Sequence, residues 1–394
     1  MNCIKDENDL EGKKVLLRLD LNVPIQNGII TDETRINKIL PIFKYLIKKK
    51  SKIIVVSHIG RPKGKVDENL SLLPVCESLK KKLNKDLKLI KNNIYDLKKD
   101  ELFLNTQDEI LVLENIRFYK EEEMNDGKFS KQLASLGDLF VNDAFSCSHR
   151  EHSSVSNVTK FLPSYAGIQF ETEVNALKKV TTEIKKPVTC IIGGSKISTK
   201  ISVIKHLIPK FDNIIIVGGM ANNILKYKGH QIGKSIQEDN CHSIVDEIFQ
   251  TLKNNSCSLI IPEDVIVADS IESPPKVKEL YQISQEDLIL DIGPKTTETI
   301  KTKIEKSKTI LWNGPAGYFE NPDFANGSFE IGKKIAEKSI QEEIFSVAGG
   351  GDTVALLNKI GILNSFNFVS TAGGAFLEYL EGKELPGIKA LKND

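Results

Sequence analysis

Ten short apolar runs, each ending in glycine or polar residues, constrain this chain more than any other feature. "KVLLRLD", "KIIVVSHIG", "EILVLEN" and "LFVNDA" come first. "VTCIIGG", "NIIIVGG", "SLIIPED", "LILDIGP", "TILWNGP" and "IFSVAGGGD" follow. The runs are nearly continuous in hydrophobicity rather than alternating, as expected for strands buried on both faces of a parallel sheet. Segments such as "SLLPVCESLKKKL" and "FEIGKKIAEKSI" read as the helices that cover those faces. The fold class predicted is α/β: two Rossmann-like domains, each a parallel sheet covered by helices on both faces. One sheet of a dozen strands would strain an open architecture, and 394 residues are long for one core. The expected boundaries are 1–169 for the first domain, 170–186 for a hinge helix ("ETEVNALKKVTTEIKK"), and 187–380 for the second domain. A tail of about 381–394 is expected to return to the first.

Charge and cysteine content exclude several classes. The 54 basic residues are balanced by 53 acidic ones, so no global field favours nucleic acid or a membrane surface. No apolar run reaches the length of a membrane span, and the start "MNCIKDENDL" is polar, so a cytoplasmic protein is expected. Cys3, Cys76, Cys147, Cys190, Cys241 and Cys257 form no CxxC pair, which suits reduced thiols rather than disulfides or a zinc site.

In doubly wound folds ligands bind at the carboxyl ends of strands, and the two halves differ there. The first half carries Asp20, Asn22, His58, Arg61, Asn115, Arg117, Asn142, Asp143, His149 and Arg150. Only five residues of the chain are arginine, Arg18, Arg35, Arg61, Arg117 and Arg150, and all lie within the first 150 positions. Where lysine suffices elsewhere, arginine suggests bidentate recognition of phosphate or carboxylate. Asp20 either orients arginines or accepts from a substrate hydroxyl. It could equally form an ion pair with Arg18 or cap the turn before Pro24.

The second half ends its strands in glycine. "AGGGDTVALL" places Gly350 and Gly351 before a helix start, a natural phosphate site, with Asp352 and Thr353 near the N-cap. An aspartate beside a phosphate also suits Mg²⁺, which takes oxygen ligands. "STAGGAFLEYL" repeats the logic at Gly373. "GGSKISTK" clears space with Gly193 and Gly194. Lys196 and Lys200, four apart, are expected on one face of the helix that follows. "GHQIGKS" lacks the first glycine of a Walker loop and reads as an ordinary loop, and no strand carries GxGxxG, which argues against a nicotinamide dehydrogenase.

Taken in order, "LLRLDLNVP", "SHIGRPKG", "LENIRF", "SHREHSS", "GGSKISTK", "LDIGPKT", "LWNGPAGYFE", "GGGDT" and "STAGGAFLEYLEGKELPG" resemble the phosphoglycerate kinase family over essentially the whole chain. The resemblance implies a monomeric glycolytic enzyme that passes phosphate between 1,3-bisphosphoglycerate and MgADP, giving 3-phosphoglycerate and MgATP. It places the 3-phosphoglycerate patch on Asp20, Leu21, Asn22, Arg35, His58, Ile59, Gly60, Arg61, Arg117 and Arg150, leaving Arg18 as structural. Nucleotide phosphates would meet Lys196, Lys200, Asn313 and Gly350 to Thr353, with Asp352 toward Mg²⁺. Glu320 would approach the ribose, and Gly194, Gly218 and Pro315 the adenosine. Arg35, Lys196, Gly350 and Gly373 would act on the transferring group, after domain closure and without a general base. The chain departs from the family pattern at Val217, Asn223, Ala372 and Phe376. Side chains at 217 and 372 would exclude positive φ if the backbone there required it.

Overall fold

The structure is a computed structural model and describes residues 1–104 and 110–392. It contains two compact units, Met1–Val174 together with the stretch from Glu384 onward, and Asn175–Lys383. Glu109, at the head of one expected strand, and residues 393–394 of the tail lie outside the described residues.

The first unit is built on a six-stranded parallel sheet of β1 (Lys14–Leu19), β2 (Lys52–Val56), β3 (Leu87–Ile90), β4 (Ile110–Leu113), β5 (Leu139–Asp143) and β6 (Ser164–Ala166). The order across the sheet is β3-β4-β2-β1-β5-β6. Alternate residues face opposite layers. Val15, Leu17, Ile53 and Val55 join one core with Ile36, Ile39 and Phe43 of α1 (Thr34–Lys48) and Leu79 of α2 (Leu73–Leu83). Leu16, Ile54, Leu111 and Phe140 join a second core with Phe129 and Leu133 of the helix Gly127–Ala134. The near-continuous apolar strands of the sequence therefore reflect burial on both faces. At the end of β5, Asp143 accepts a hydrogen bond from the Phe170 N–H (2.8 Å) and so fixes the start of α3 (Ile168–Thr181).

The second unit has its own six-stranded parallel sheet: β7 (Val188–Ile192), β8 (Asn213–Ile216), β9 (Ser258–Ile260), β13 (Thr309–Asn313), β14 (Phe345–Gly349) and β15 (Phe368–Ser370). Its order is β9-β8-β7-β13-β14-β15, the doubly wound order in which the chain reverses direction across the sheet between its first strand and a later one, here β7 and β13. One face packs Ile191, Ile215, Trp312 and Ala348 against α7 (Pro294–Lys306), α8 (Asn326–Ile340) and α9 (Gly351–Lys359).

One expectation needs correction. "LILDIGP" is a strand, β12 (Leu288–Ile292), but it belongs to a separate three-stranded antiparallel sheet with β10 (Asp264–Ala268) and β11 (Lys276–Glu279). β10 sits between the other two, with Val265 opposite Lys278 and Ile292, and a register shift falls between Ile266 and Val267. The apolar run looked parallel because α7 and α8 bury its end as thoroughly as a parallel-sheet strand would be buried.

The approach of the two strand ends at the reversal is close. A Cβ on Gly193 would lie 2.0 Å from the Pro315 carbonyl oxygen, and one on Gly314 2.2 Å from that of Gly193. Gly314 also has φ of 100°, which glycine alone adopts readily. Gly193→Ala should therefore cost about 1–3 kcal/mol of unfolding free energy from overpacking. Gly351, with open space around its Cβ position, should accept alanine within about 0.5 kcal/mol. Urea unfolding of both variants checks the contrast, and equal losses would contradict it.

Candidate functional site

In the first unit the loops after β1, β2, β4 and β5 meet at the carboxyl edge of the sheet, and their polar groups hold one another. Asp20 is the junction. Its carboxylate accepts from the Asn22 N–H (3.1 Å), from Arg35 Nη1 (2.9 Å) and from the Ser146 hydroxyl. Of the readings left open for Asp20, two hold in this geometry: it caps the turn before Pro24 through the Asn22 N–H, and it orients an arginine, Arg35 of α1, which also donates to the Asn22 carbonyl (3.0 Å). Asn22 Oδ1 in turn accepts from the Gly60 N–H (2.9 Å). Gly60 has φ of 63° and leaves no room for a side chain against Leu70. Asn115 ties in the next loop by donating to the Ile59 and Leu70 carbonyls, while Arg117 donates to the Gly60 carbonyl (2.9 Å).

Arg18 lies beneath this layer and is fully buried. A buried guanidinium costs several kcal/mol unless its donors are used. Here Nε donates to the Ser154 hydroxyl (2.9 Å), Nη1 to the Leu19 carbonyl, and Nη2 to His58 Nδ1 (3.1 Å). The Ser154 hydroxyl in turn donates a hydrogen bond to the fully buried carboxylate of Glu122 (2.6 Å). Burial pushes the Glu122 carboxyl up, and Arg18 pulls it back toward the ionised form. The expectation that Arg18 is structural agrees with these contacts.

The bond from Arg18 also fixes the His58 tautomer. Arginine has no acceptor, so His58 Nδ1 must accept, and the ring proton sits on Nε2. Burial first, then Arg18 and Arg117, hold the His58 pKa well below its ordinary value. His58 is thus a neutral donor among cations. Arg61 is exposed and Arg150 half-buried at the same edge, while Arg117 is buried. Asp20, His58 and Cys147 bring three candidate ligand atoms within 4.8 Å of one another, the sole such cluster among the described residues. It does not suit a cation, because Arg18 lies against His58 and Cys147 and Arg35 against Asp20. The group suits an anion.

In the second unit two cavities open on either side of the Gly193–Gly314 contact. One, about 440 Å³, is lined by Lys196, Lys200, Asn313 and the glycine-rich segments at Gly193–Gly194, Gly350–Gly351 and Gly373–Gly374, with Asp352 and Thr353. The other, about 390 Å³, is more apolar, with Gly218, Ile236, Leu290, Pro315, Tyr318, Phe319 and Glu320 on its walls. Gly194, Ser195 and Asp352 line both. Every residue expected to meet the nucleotide lines one of the two cavities.

The glycine positions show why. Gly350 caps α9 with φ of 98°, and a Cβ there would meet Asn313 Nδ2 at 2.5 Å. Asn313 Nδ2 donates to the Gly349 carbonyl (2.6 Å), and its Oδ1 accepts from Lys200 Nζ. Thr353 Oγ1 accepts from the Gly314 N–H (2.7 Å), so the α9 start is locked to the β13 end. Burial lowers the Lys200 pKa, as expected for an ammonium in a cavity wall.

Lys196 and Lys200 do not share a helix face. Residues 195–200 form turns, and α4 (Ile201–Leu207) begins after them with Lys200 at its N-cap. The Thr199 hydroxyl donates to the Lys196 carbonyl (2.9 Å) and the Lys200 N–H to that of Ile197 (3.0 Å). Such local bonds offer the backbone an alternative to the helix. Both lysines reach the cavity, one exposed on the turn and one half-buried at its end.

"GHQIGKS" is a loop, as expected: Lys234 pairs with Glu286, and Gly233 packs on the Asp287 carbonyl. Tyr318 lies within "LWNGPAGYFE", one of the segments that carry the family resemblance. Neither Ile236, on a loop, nor Ser146, in the single turn Phe145–Cys147, carried a local signal in the sequence. Asp291 carried one, a carboxylate within an apolar strand. It is buried in the apolar cavity's wall, accepts from the Gly327 N–H (2.8 Å), and is pushed up to about 7 by burial.

The family model described as phosphoglycerate kinase matches residues 4–383. The chain belongs to the phosphoglycerate kinase family. It is 46% identical over 386 residues to the phosphoglycerate kinase of Wolbachia pipientis subsp. Culex pipiens (strain wPip), covering 97% of each chain. It is 44% identical to that of Dictyoglomus turgidum, covering 99% of this chain and 98% of the relative. The solved phosphoglycerate kinase structure from Coxiella burnetii superposes with a TM-score of 0.91 at 37% identity, covering 98% of this chain and 97% of the other. The structure from Pyrococcus horikoshii OT3 gives 0.82 at 28% identity, with 100% and 98% covered. The departures from the family pattern at Val217 and Ala372 put no side chain where the backbone turns to positive φ. Positive φ falls on Gly218 (69°) and Gly373 (56°), and neither Val217 nor Ala372 has it. Phe376 fills the space above Gly349, where a Cβ would meet its ring at 2.6 Å.

The buried histidines set a testable pH dependence. Burial and the neighbouring Arg117, Arg18 and Arg150 push His152 down to about 3, against about 6.5 in an unfolded chain. Between those values the unfolded state binds a proton that the native state refuses, so stability falls as pH falls through 6.5. His152→Gln should flatten the acid slope of unfolding free energy by roughly 1 kcal/mol per pH unit between pH 6 and pH 4. An unchanged slope would show that His152 is not held neutral.

Proposed function

We propose that this chain catalyses reversible phosphoryl transfer between 1,3-bisphosphoglycerate and MgADP, giving 3-phosphoglycerate and MgATP, as a monomeric cytoplasmic enzyme of glycolysis. The observation that carries the reading is the cavity of the second unit, where two lysines and glycine-started helices converge. Family membership over nearly the full chain supports it. No helix among the described residues is long and apolar enough to cross a membrane, and the six cysteines are free. Both agree with a cytoplasmic setting.

The first unit would hold 3-phosphoglycerate. Arg61, Arg117 and Arg150 offer forks to its phosphate, with the His58 Nε2–H as a neutral donor, while Asp20, Leu21, Asn22, Ile59 and Gly60 would shape the glycerate end. The adenosine would occupy the apolar cavity of the second unit against Gly218 and Pro315, with Glu320 toward the ribose. Its phosphates would reach Lys196, Lys200, Asn313 and the N-terminus of α9 at Gly350, Gly351 and Thr353. Asp352 stands in both cavities and presents an exposed carboxylate. That donor fits Mg²⁺, which takes one or two carboxylates plus phosphate oxygens, and the ion would neutralise phosphate charge there.

The acceptor is a carboxylate already ionised at neutral pH, so no proton need be removed. The chain's own contribution is alignment and positive charge around a phosphoryl group in flight: Arg35 from one side, Lys196 from the other, and the helix starts at Gly350 and Gly373. Because the two ligands bind separate units, transfer requires closure that brings them in line and expels water.

MgATP and 3-phosphoglycerate should yield ADP and an acyl phosphate in a coupled assay. A folded sample that binds both without turnover would instead be a two-lobed binding protein. Arg35→Ala should lower kcat by about 10²-fold or more, the loss seen when one transition-state donor is removed, with MgADP affinity within twofold. Lost nucleotide affinity with normal turnover would contradict the role of Arg35.

A further inference from the structure

The turn that carries Lys196 has little regular structure of its own. Residues 195–200 lie between the end of β7 and the start of α4, and Lys196, Ser198 and Thr199 are all exposed. A lysine on such a turn would sample many positions unless something outside the turn held it. Within it, only the buried Ile197 side chain and the short bonds from Thr199 and Lys200 restrain the backbone.

The outside restraint comes from Glu238. One carboxylate oxygen accepts from the Ser198 N–H (2.9 Å), and the other accepts from the Ser198 hydroxyl. This paired grip on one residue is charge-assisted at both oxygens and so stronger than two neutral bonds. Burial pushes the Glu238 carboxyl up, but the Ser198 bonds, the Ile197 N–H and the charge of Lys196 outweigh it. The group is held below the ordinary glutamate range, so the carboxylate stays ionised at neutral pH.

Glu238 is itself anchored. Its backbone N–H donates to Asn223 Oδ1 (3.0 Å), and Asn223 is a buried residue of α5 (Gly219–Tyr227). The neighbouring Asn222 Nδ2 donates to the Ile236 carbonyl (2.9 Å), fixing the segment before Glu238 to the same helix. α5 opens at Gly218, and the Met220 N–H donates to the Gly194 carbonyl (2.8 Å) beside the turn. A closed circuit therefore runs from Gly194 through α5 and Glu238 to Ser198, with Lys196 inside it.

We propose that Glu238, backed by Asn223, is a positioning residue for phosphoryl transfer: its grip on Ser198 fixes the turn that presents Lys196 to the phosphate cavity. The proposal rests on the role given to Lys196 above. Glu238 lines neither of the two cavities given to the nucleotide, and it acts by limiting where the lysine backbone can go. Preorganised charge stabilises a transition state only where the cation already stands.

A double-mutant cycle tests this on the full chain. Glu238→Ala should lower kcat at least tenfold, with the KM for 3-phosphoglycerate within twofold. In a Lys196→Ala background the same substitution should cost less than twofold further, because a turn without its lysine has nothing left to position. Glu238→Gln keeps one acceptor oxygen for Ser198 and should recover part of the loss. Ser198→Ala, at an exposed site, removes the hydroxyl half of the grip and should show a smaller loss in the same direction. It also serves should Glu238→Ala fail to fold. Amide hydrogen exchange in the free enzyme gives a readout apart from activity: protection at 196–200 should fall in Glu238→Ala while the strands β7 and β13 keep theirs. Full kcat in Glu238→Ala, unchanged exchange at 196–200, or an equal tenfold loss in both backgrounds would overturn the proposal while leaving Lys196 in place. Full kcat in Lys196→Ala would overturn the role of the lysine, and the proposal with it.

Discussion

The second unit depends on one steric constraint, the contact of bare backbone where β7 and β13 end side by side. Gly193 and Gly314 approach so closely that neither tolerates a Cβ. The chain then diverges on both sides of the contact, into the 194–200 turn on one and the 315–320 loop on the other, and two cavities open in the gap. The fully buried Trp312 secures the arrangement by donating to the Gly314 carbonyl (2.8 Å), and Thr353 accepts from the Gly314 N–H. The start of α9 is thus tied to the same point from which both cavities diverge. A helix N-terminus and two lysines gain their chemistry from position, and this contact sets the position.

The first unit solves a different problem, holding several cations close together. Their mutual repulsion would be costly in a low-dielectric site. Arg35 is offset by Asp20, Arg18 by Glu122 through Ser154, and Arg117 lies near Glu123 (3.6 Å). Histidines 58 and 152 are driven to their neutral forms. Arg61, exposed, and Arg150, half-buried, stand at the edge as charge still open to solvent. Such a surface is prepared for an anion before one arrives, which lowers the reorganisation needed on binding.

Much of this was legible in the sequence, for reasons that differ by residue. The central strands of both parallel sheets were readable because two-sided burial writes continuous apolar runs, while the short edge strands β3, β6 and β15 wrote none; the glycine pairs at 193 and 350 were readable because a strand ending in glycine has few other uses. Arg35 was not readable from strand ends, since it lies on α1 and reaches back to Asp20; the scarcity of arginine marked it as one of five, and the family resemblance gave it a role. β12 read as parallel because hydrophobicity records burial and not strand direction. Lys196 and Lys200 read as helical neighbours because spacing alone cannot see that Ser198 and Thr199 spend their hydrogen bonds on Glu238 and on the turn itself. Glu122 gave no signal at all, and Asn223 only as a departure from the family pattern, because burial of a polar residue is decided by partners distant in sequence.

The central claim is that the two ligands divide between the units, phosphoglycerate on the arginine surface and nucleotide on the paired cavities. Amide chemical-shift mapping of the whole protein, titrated with each ligand separately, tests it most directly. 3-Phosphoglycerate should shift residues 20–22, 58–61, 117 and 150, and MgADP residues 194–200, 218, 313–320 and 350–353. Saturating shifts by 3-phosphoglycerate confined to the second unit, or by MgADP confined to the first, would contradict the account.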